Sequence, residues 1–133
     1  MGAVVILVDT NVLIDFDHYE FDLAQSYVAS MLSRAELELG IRRAPSITER
    51  ESRQTKLALL DDWVDWLPFD RAASEGYGVV AGGSALTGAR LRGKDALIAG
   101  QAYSLGASLM TVNTADFAAF AAVLTIVAPT PRA

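Results

Sequence analysis

Asp9, Glu36, Asp95 and Asp116 are the four acids of this sequence whose positions call for a chemical explanation. Asp9 closes the apolar run Val4-Val5-Ile6-Leu7-Val8. Such a run reads as a strand buried on both faces, and open α/β sheets bind ligands at the carboxyl ends of their strands. A turn residue or a helix N-cap is the plain alternative. Glu36 stands out against Glu38, which lies four residues from both Arg34 and Arg42, as an exposed paired acid does. Glu36 instead shares its helix face with Leu32, Leu39 and Gly40 and has no basic residue three or four positions away. An inward carboxylate without a cation is costly unless something else compensates it. The alternative here is a capping box with Ser33. Asp95 opens an apolar helix, Ala96 to Leu105, where a negative charge also suits the helix dipole. Asp116 follows an expected strand, Ser108 to Val112, by way of Asn113-Thr114-Ala115.

Each acid has a local alternative, but the set does not. Four carboxylates gathered at strand ends and first helical turns repel one another, and a divalent cation relieves that repulsion. Donors that are all oxygen suit magnesium or manganese. Such an ion polarises a phosphoryl oxygen and activates water for in-line attack. Composition removes the competing chemistries. The 133 residues include no cysteine and one histidine, His18. Disulfides, thiolate zinc sites, a cysteine nucleophile and a two-histidine ribonuclease are excluded, and a Ser-His-Asp triad would have to use His18, in an acidic stretch. A chain without cysteine fits a reducing, cytoplasmic compartment.

The elements that must position these acids alternate in type. Strands are expected at Val4–Val8, Tyr27–Ser30, Ser108–Val112 and Val123–Val127, with Leu67-Pro68-Phe69 extended. Helices are expected to begin at Val12 and to span about Ser33–Arg43, Ser46–Trp63, Asp70–Leu86 and Asp95–Leu105, with a helical turn at Thr114–Phe120. Pro45 ends one helix, and Ser46 with Glu49 makes a capping box for the next. Asp17 to Asp22 reads as an acidic loop. Alternation of this kind indicates an α/β fold with a mainly parallel central sheet flanked by helices, one domain over residues 1–133. The uncharged stretch Ala96 to Ala115 has the length of a membrane span. Its polar residues and the break at Gly106 make it a buried helix followed by a strand, so no membrane association is expected. No positive charge precedes the short first apolar run, and no secretory signal is expected.

A net charge of −5 argues against simple electrostatic adhesion to nucleic acid or membrane. The charge is uneven, however. Residues 34–56 and 90–133 each sum to +2, and the basic segments are Arg34 to Lys56 and Arg90-Leu91-Arg92-Gly93-Lys94. Arg90, Arg92 and Lys94 directly precede Asp95 and suit phosphate oxygens near a metal, with a solvated loop as the alternative. Trp63 and Trp66 could stack on bases, although core or subunit packing is the more ordinary role.

Taken in order, several short pieces resemble the PIN-domain nucleases, especially the VapC-type toxins of bacterial toxin–antitoxin pairs. They are Asp9-Thr10-Asn11 after the first strand, Ser30-Met31-Leu32-Ser33-Arg34-Ala35-Glu36-Leu37 with Gly40, Lys94-Asp95-Ala96-Leu97-Ile98-Ala99, and Thr111-Val112-Asn113-Thr114-Ala115-Asp116-Phe117. An apolar strand ending in Pro129 completes the series. The resemblance implies that Asp9, Glu36, Asp95 and Asp116 form an acidic quartet around Mg2+ or Mn2+. It also implies that Asn11, Ser33, Thr111 and Asn113 support the site. It implies RNA as substrate, a cognate antitoxin with a basic and apolar tail, and a homodimer. The Asp9–Glu36 interval is short for the family, and Gly82-Gly83 interrupts a helix the family keeps intact. Two other readings remain open. One is a PIN nuclease of RNA processing without an antitoxin. The other is a receiver-like signalling domain, which also gathers aspartates around magnesium but expects a late lysine after a strand, where Lys94 precedes a helix.

Overall fold

A computed structural model describes residues 4–87 and 93–133, with side chains for all of these except 84–87. The strand β1 (Val5–Val8) lies at the centre of a five-stranded sheet. Its neighbours are β3 (Ser26–Ser30) and β5 (Ser108–Met110), with β4 (Asp65–Leu67) and β6 (Ile126–Val127) at the two edges. Every neighbouring pair in this sheet is parallel, and Leu7 stands opposite Val28 on one side and Leu109 on the other.

The unbroken apolar run of β1 has a direct cause: both of its faces are covered. Leu7 packs with Val28, Ile98, Leu109, Phe117 and Phe120. Ile6 and Val8, on the opposite face, pack with Val12, Leu13, Leu60 and Met110. The first face is covered by α4 (Arg71–Thr87) and α5 (Gly93–Ser104). The second is covered by α1 (Thr10–Ile14) and α3 (Ile47–Trp63). The remaining helix, α2 (Met31–Arg42), continues directly from β3.

Two glycines are required by close packing. A Cβ on Gly76 of α4 would stand 2.2 Å from the Gly100 carbonyl oxygen, and one on Gly100 of α5 would stand 2.4 Å from Tyr77 Cα. A third, Gly106, has φ +62°. It ends α5 in a Schellman turn, with Ala107 N donating to Ala102 O (3.0 Å) and Gly106 N to Tyr103 O (3.1 Å). The uncharged stretch is therefore a helix, a turn and a strand. No helix among the described residues is long and apolar enough to cross a membrane.

Several expected boundaries move. The first helix starts at Thr10 rather than Val12, because Asp9 is its N-cap. The next starts at Met31 rather than Ser33, because Ser30 Oγ accepts from Leu32 N (3.1 Å) and is the cap. Ser33 therefore lies inside the helix, and its capping box with Glu36 does not form. Ser46 does cap α3, accepting from Glu49 N at 3.1 Å. Of the expected acidic loop, Phe16–His18 forms a 3-10 helix and β2 (Tyr19–Glu20) pairs antiparallel with β7 (Thr130–Pro131). That pairing joins distant segments and has no local signature. The last sheet strand begins at Ile126 rather than Val123. Finally, α4 runs unbroken through Gly82-Gly83.

Candidate active site

Three parallel strands deliver polar residues to one edge of the sheet: Asp9 after β1, Ser30 at the end of β3, and Thr111 after β5. Asp9 is 5% exposed, and Ser33 and Thr111 are fully buried. Asp9 Oδ1 accepts from Thr10 N (2.8 Å). Asp9 Oδ2 accepts from Thr111 Oγ1 (2.9 Å) and Asn11 Nδ2 (3.2 Å). The Asn11 amide also donates to Thr111 Oγ1 (3.1 Å), and its oxygen accepts from Val112 N (3.3 Å). Asn113 N donates to Thr111 Oγ1 as well (3.1 Å). Thr111 is thus the hub that fixes the direction of the Asp9 carboxylate.

Burial pushes the Asp9 carboxyl above its ordinary value. The hydrogen bonds from Thr111 and Thr10 oppose that rise, and the charges of Asp95 and Glu36 add to it. Two of the other acids singled out in the sequence therefore bear on Asp9 here. Glu36 projects from α2 toward Thr10, whose hydroxyl donates to Glu36 Oε1 (3.2 Å) and is hydrogen-bonded to the Ser33 hydroxyl (2.8 Å). Asp95 lies in the first turn of α5. Asp116 is exposed on the 3-10 helix Thr114–Phe120 that follows β5.

Glu36 is not without a cation. Lys94 Nζ, from the start of α5, lies 2.6 Å from Glu36 Oε2. Spacing along one helix could not reveal this, because the partner comes from another element. Thr10 is the other residue missed. It was legible only as part of Asp9-Thr10-Asn11, yet its hydroxyl links Ser33 to Glu36. Arg90 and Arg92 lie outside the described residues. Of the other basic segment, Arg34 is held by Asp61 through Nε and Nη2 (both 2.9 Å), and Arg53 donates to Gly40 O (2.6 Å). Trp66 Nε1 donates to Asp61 (2.7 Å), with Arg34 5.9 Å above its ring. Trp63 packs among Phe16, Phe21 and Tyr27, so it serves the core.

The donors around Asp9 are carboxylate, hydroxyl and amide oxygens, and the site carries mutually repelling negative charge. That chemistry fits a hard divalent cation. Among the described residues, however, no three acids stand close enough to hold an ion as they are. Beside the acids runs a groove of about 350 Å³, lined by Thr10 and Leu13 of α1, Glu36 of α2, and Arg53, Lys56 and Leu57 of α3.

This chain belongs to the PIN domain family, whose profile matches residues 6–123. PIN-domain nucleases are hydrolases acting on nucleic acids, and they generally use divalent metal ions. The receiver-like reading is thereby excluded. The fold is similar to that of a chain in VapBC2 from Rickettsia felis bound to a fragment of its promoter DNA. There the TM-score is 0.78 at 20% identity, covering 95% of this chain and 99% of that one. A chain of VapBC-5 from Mycobacterium tuberculosis gives 0.77 at 24% identity, covering 96% and 98%. One of VapBC-1 from nontypeable Haemophilus influenzae gives 0.74 at 23% identity, covering 94% and 98%. At these identities the likeness is one of fold. None of the curated proteins matches the chain.

Proposed function

We propose that this protein is a metal-dependent endoribonuclease, the toxin of a VapBC-type toxin–antitoxin pair, acting in the cytoplasm as a homodimer. The observation that supports the reading is the buried Asp9 carboxylate at the carboxyl edge of the sheet, on which the charges of Glu36 and Asp95, from two other elements, both bear. Asp9, Glu36, Asp95 and Asp116 would hold Mg2+, or Mn2+ in its place. Such an ion, when bound, lends positive charge to a phosphoryl oxygen and makes water nucleophilic at neutral pH. The chain's own residues do the positioning. Thr111 and Asn11 fix the Asp9 carboxylate, Thr10 and Ser33 fix Glu36, and Asn113 braces Thr111. Arg90, Arg92 and Lys94 would pair with RNA phosphates.

The test is the chemistry of the ends. Attack by water leaves a 5′-phosphate and a 3′-hydroxyl without use of the ribose 2′-hydroxyl. Cleavage should need magnesium or manganese and vanish in chelator. Fragments ending in 2′,3′-cyclic phosphate, or undiminished cutting in chelator, refute the mechanism.

The partner reading rests on the groove. Its wall of Leu13 and Leu57 beside Glu36 suits an apolar antitoxin tail carrying an arginine or lysine that reaches the carboxylates. Inhibition by a tail peptide should fall when its basic residue is changed to alanine, and should depend on magnesium concentration. A peptide indifferent to both changes would place the block elsewhere.

A further inference from the structure

We propose that Lys94 is the internal counter-ion of the acidic site, and that a divalent cation takes Glu36 only by displacing the Lys94 ammonium. The inference rests on the nuclease reading for its choice of ligand, but its geometry is independent. Both oxygens of Glu36 are engaged, Oε2 by Lys94 Nζ at 2.6 Å and Oε1 by Thr10 Oγ1 at 3.2 Å. An incoming cation therefore meets a donor already in place at either oxygen. The Thr10 hydroxyl belongs to a buried network and can keep donating to a carboxylate that also binds a cation. Lys94 is the partner that yields, because a cation on Oε2 meets its ammonium directly and one on Oε1 still presses on it across a single carboxylate.

The two side chains also differ in freedom. That of Lys94 is 57% exposed and that of Glu36 is 26% exposed. The ammonium can swing into water on its flexible stem at little cost, while Glu36 stays anchored. In the state described here Glu36 turns to Lys94, and no three acids among the described residues converge on an ion. Release of the lysine frees Glu36 Oε2. Lys94 is adjacent to Asp95 on the first turn of α5. A displaced ammonium thus remains tethered at the mouth of the site, where an RNA phosphate arrives. One residue would neutralise the acids before the cation binds and meet the substrate afterwards. It is a positioning residue in the first state and a binding residue in the second.

The chain offers its own control, because its two lysines are Lys94 and Lys56. Lys56 lines the same groove as Glu36 but, among the described residues, pairs with Asp17, at 3.8 Å, and with none of the four acids of the site. The experiment labels the intact protein briefly with an amine-acylating reagent, in chelator and in magnesium, and reads each lysine by peptide mass spectrometry. Magnesium should raise labelling of Lys94 about two- to fivefold, the range set by a half-exposed ion pair. Lys56 should not change. In Glu36→Gln, Lys94 should label at the higher rate with or without magnesium. Calorimetry supplies the second readout: Lys94→Gln should bind magnesium about two- to fivefold more tightly than wild type. Tighter binding by Lys94→Gln without any change in wild-type labelling would overturn the displacement, and so would a wild-type rise that disappears when labelling is compared at a pH where the amine is already largely free. Magnesium binding with neither change would do the same. If magnesium binds to neither chain, the metal reading of the site falls first, and this inference falls with it.

Discussion

Replacing Thr111 with valine tests whether the buried network exists to orient a charged Asp9. Valine keeps the shape of threonine and removes one hydroxyl. That hydroxyl donates to Asp9 Oδ2 at 2.9 Å and accepts from Asn11 Nδ2 and Asn113 N, both at 3.1 Å. Asn11 retains its bond to Asp9, and Asn113 is exposed enough for water to replace what it loses. Asp9, at 5% exposure, has little access to water. A net hydrogen bond to a charged group contributes about 1.5–3 kcal/mol. The added methyl recovers part of that through apolar burial, ~0.8 kcal/mol at most. Thr111→Val should therefore lower stability by roughly 1–2 kcal/mol at neutral pH in chelator, lowering Tm by about 3–8 °C for a chain of this size.

The pH dependence carries the stricter test. Burial holds the Asp9 carboxyl in the folded protein above its ordinary value of 3.8. The folded state then binds the proton more tightly than the unfolded chain. Stability falls as pH rises from 3.8 through the folded value, because ionisation of buried Asp9 costs more than in the unfolded chain. The Thr111 hydrogen bond acts against this rise. Its loss pushes the folded value further up, so the penalty of Thr111→Val should be largest at neutral pH and shrink as pH falls toward 3.8. Urea denaturation at both ends of that range measures it. The same substitution made in Asp9→Asn should cost about half as much, because a hydrogen bond to a neutral amide is worth ~1 kcal/mol. Equal penalties at both pH values and in both backgrounds would refute the argument and make Thr111 an ordinary core residue.

Glu36→Gln should abolish RNA cleavage, exceeding the roughly hundredfold that loss of a supporting partner costs. Glu38→Gln should leave cleavage nearly intact, because Arg34 is 3.6 Å from Glu38 but is held by Asp61 at 2.9 Å; equal losses would defeat the distinction. Magnesium at about a hundred times its dissociation constant should stabilise wild type by ~2.7 kcal/mol. It should stabilise Asp9→Asn much less, and equal thermal shifts would remove Asp9 from the ion's ligands. Gly76→Ala should cost about 3 kcal/mol in thermal denaturation, because its Cβ would stand 2.2 Å from a backbone oxygen of α5. Gly78→Ala, with nothing within 4 Å, should gain roughly 0.5–1 kcal/mol from helix propensity, and a loss there would contradict the open space.

The parallel sheet was legible because its central strand is apolar at every position, which follows only when helices cover both faces. Asp9 was legible for the same reason: a charge directly after such a strand has few places to go. The capping box at Ser46 was legible because all its parts lie within one turn. What escaped depends on contacts between distant elements. Tyr19–Glu20 forms a strand only because Thr130–Pro131 reaches it. Ser33 matched a capping signature, but Ser30 took that role three residues earlier and left Ser33 to a buried bond with Thr10. Glu36 shows the limit most clearly. Its isolation within its own helix correctly marked it as unusual, yet the inference that it lacked a cation failed, because Lys94 arrives from α5. The failure does not return Glu36 to the surface. An ordinary surface pair exposes both partners, as Arg71 and Glu75 do at 93% and 68%. Here the acid is anchored by a buried threonine, and the lysine is the more exposed partner. A pair built so unequally keeps the carboxylate in place whether or not its cation is exchanged, as the proposed cation site would need.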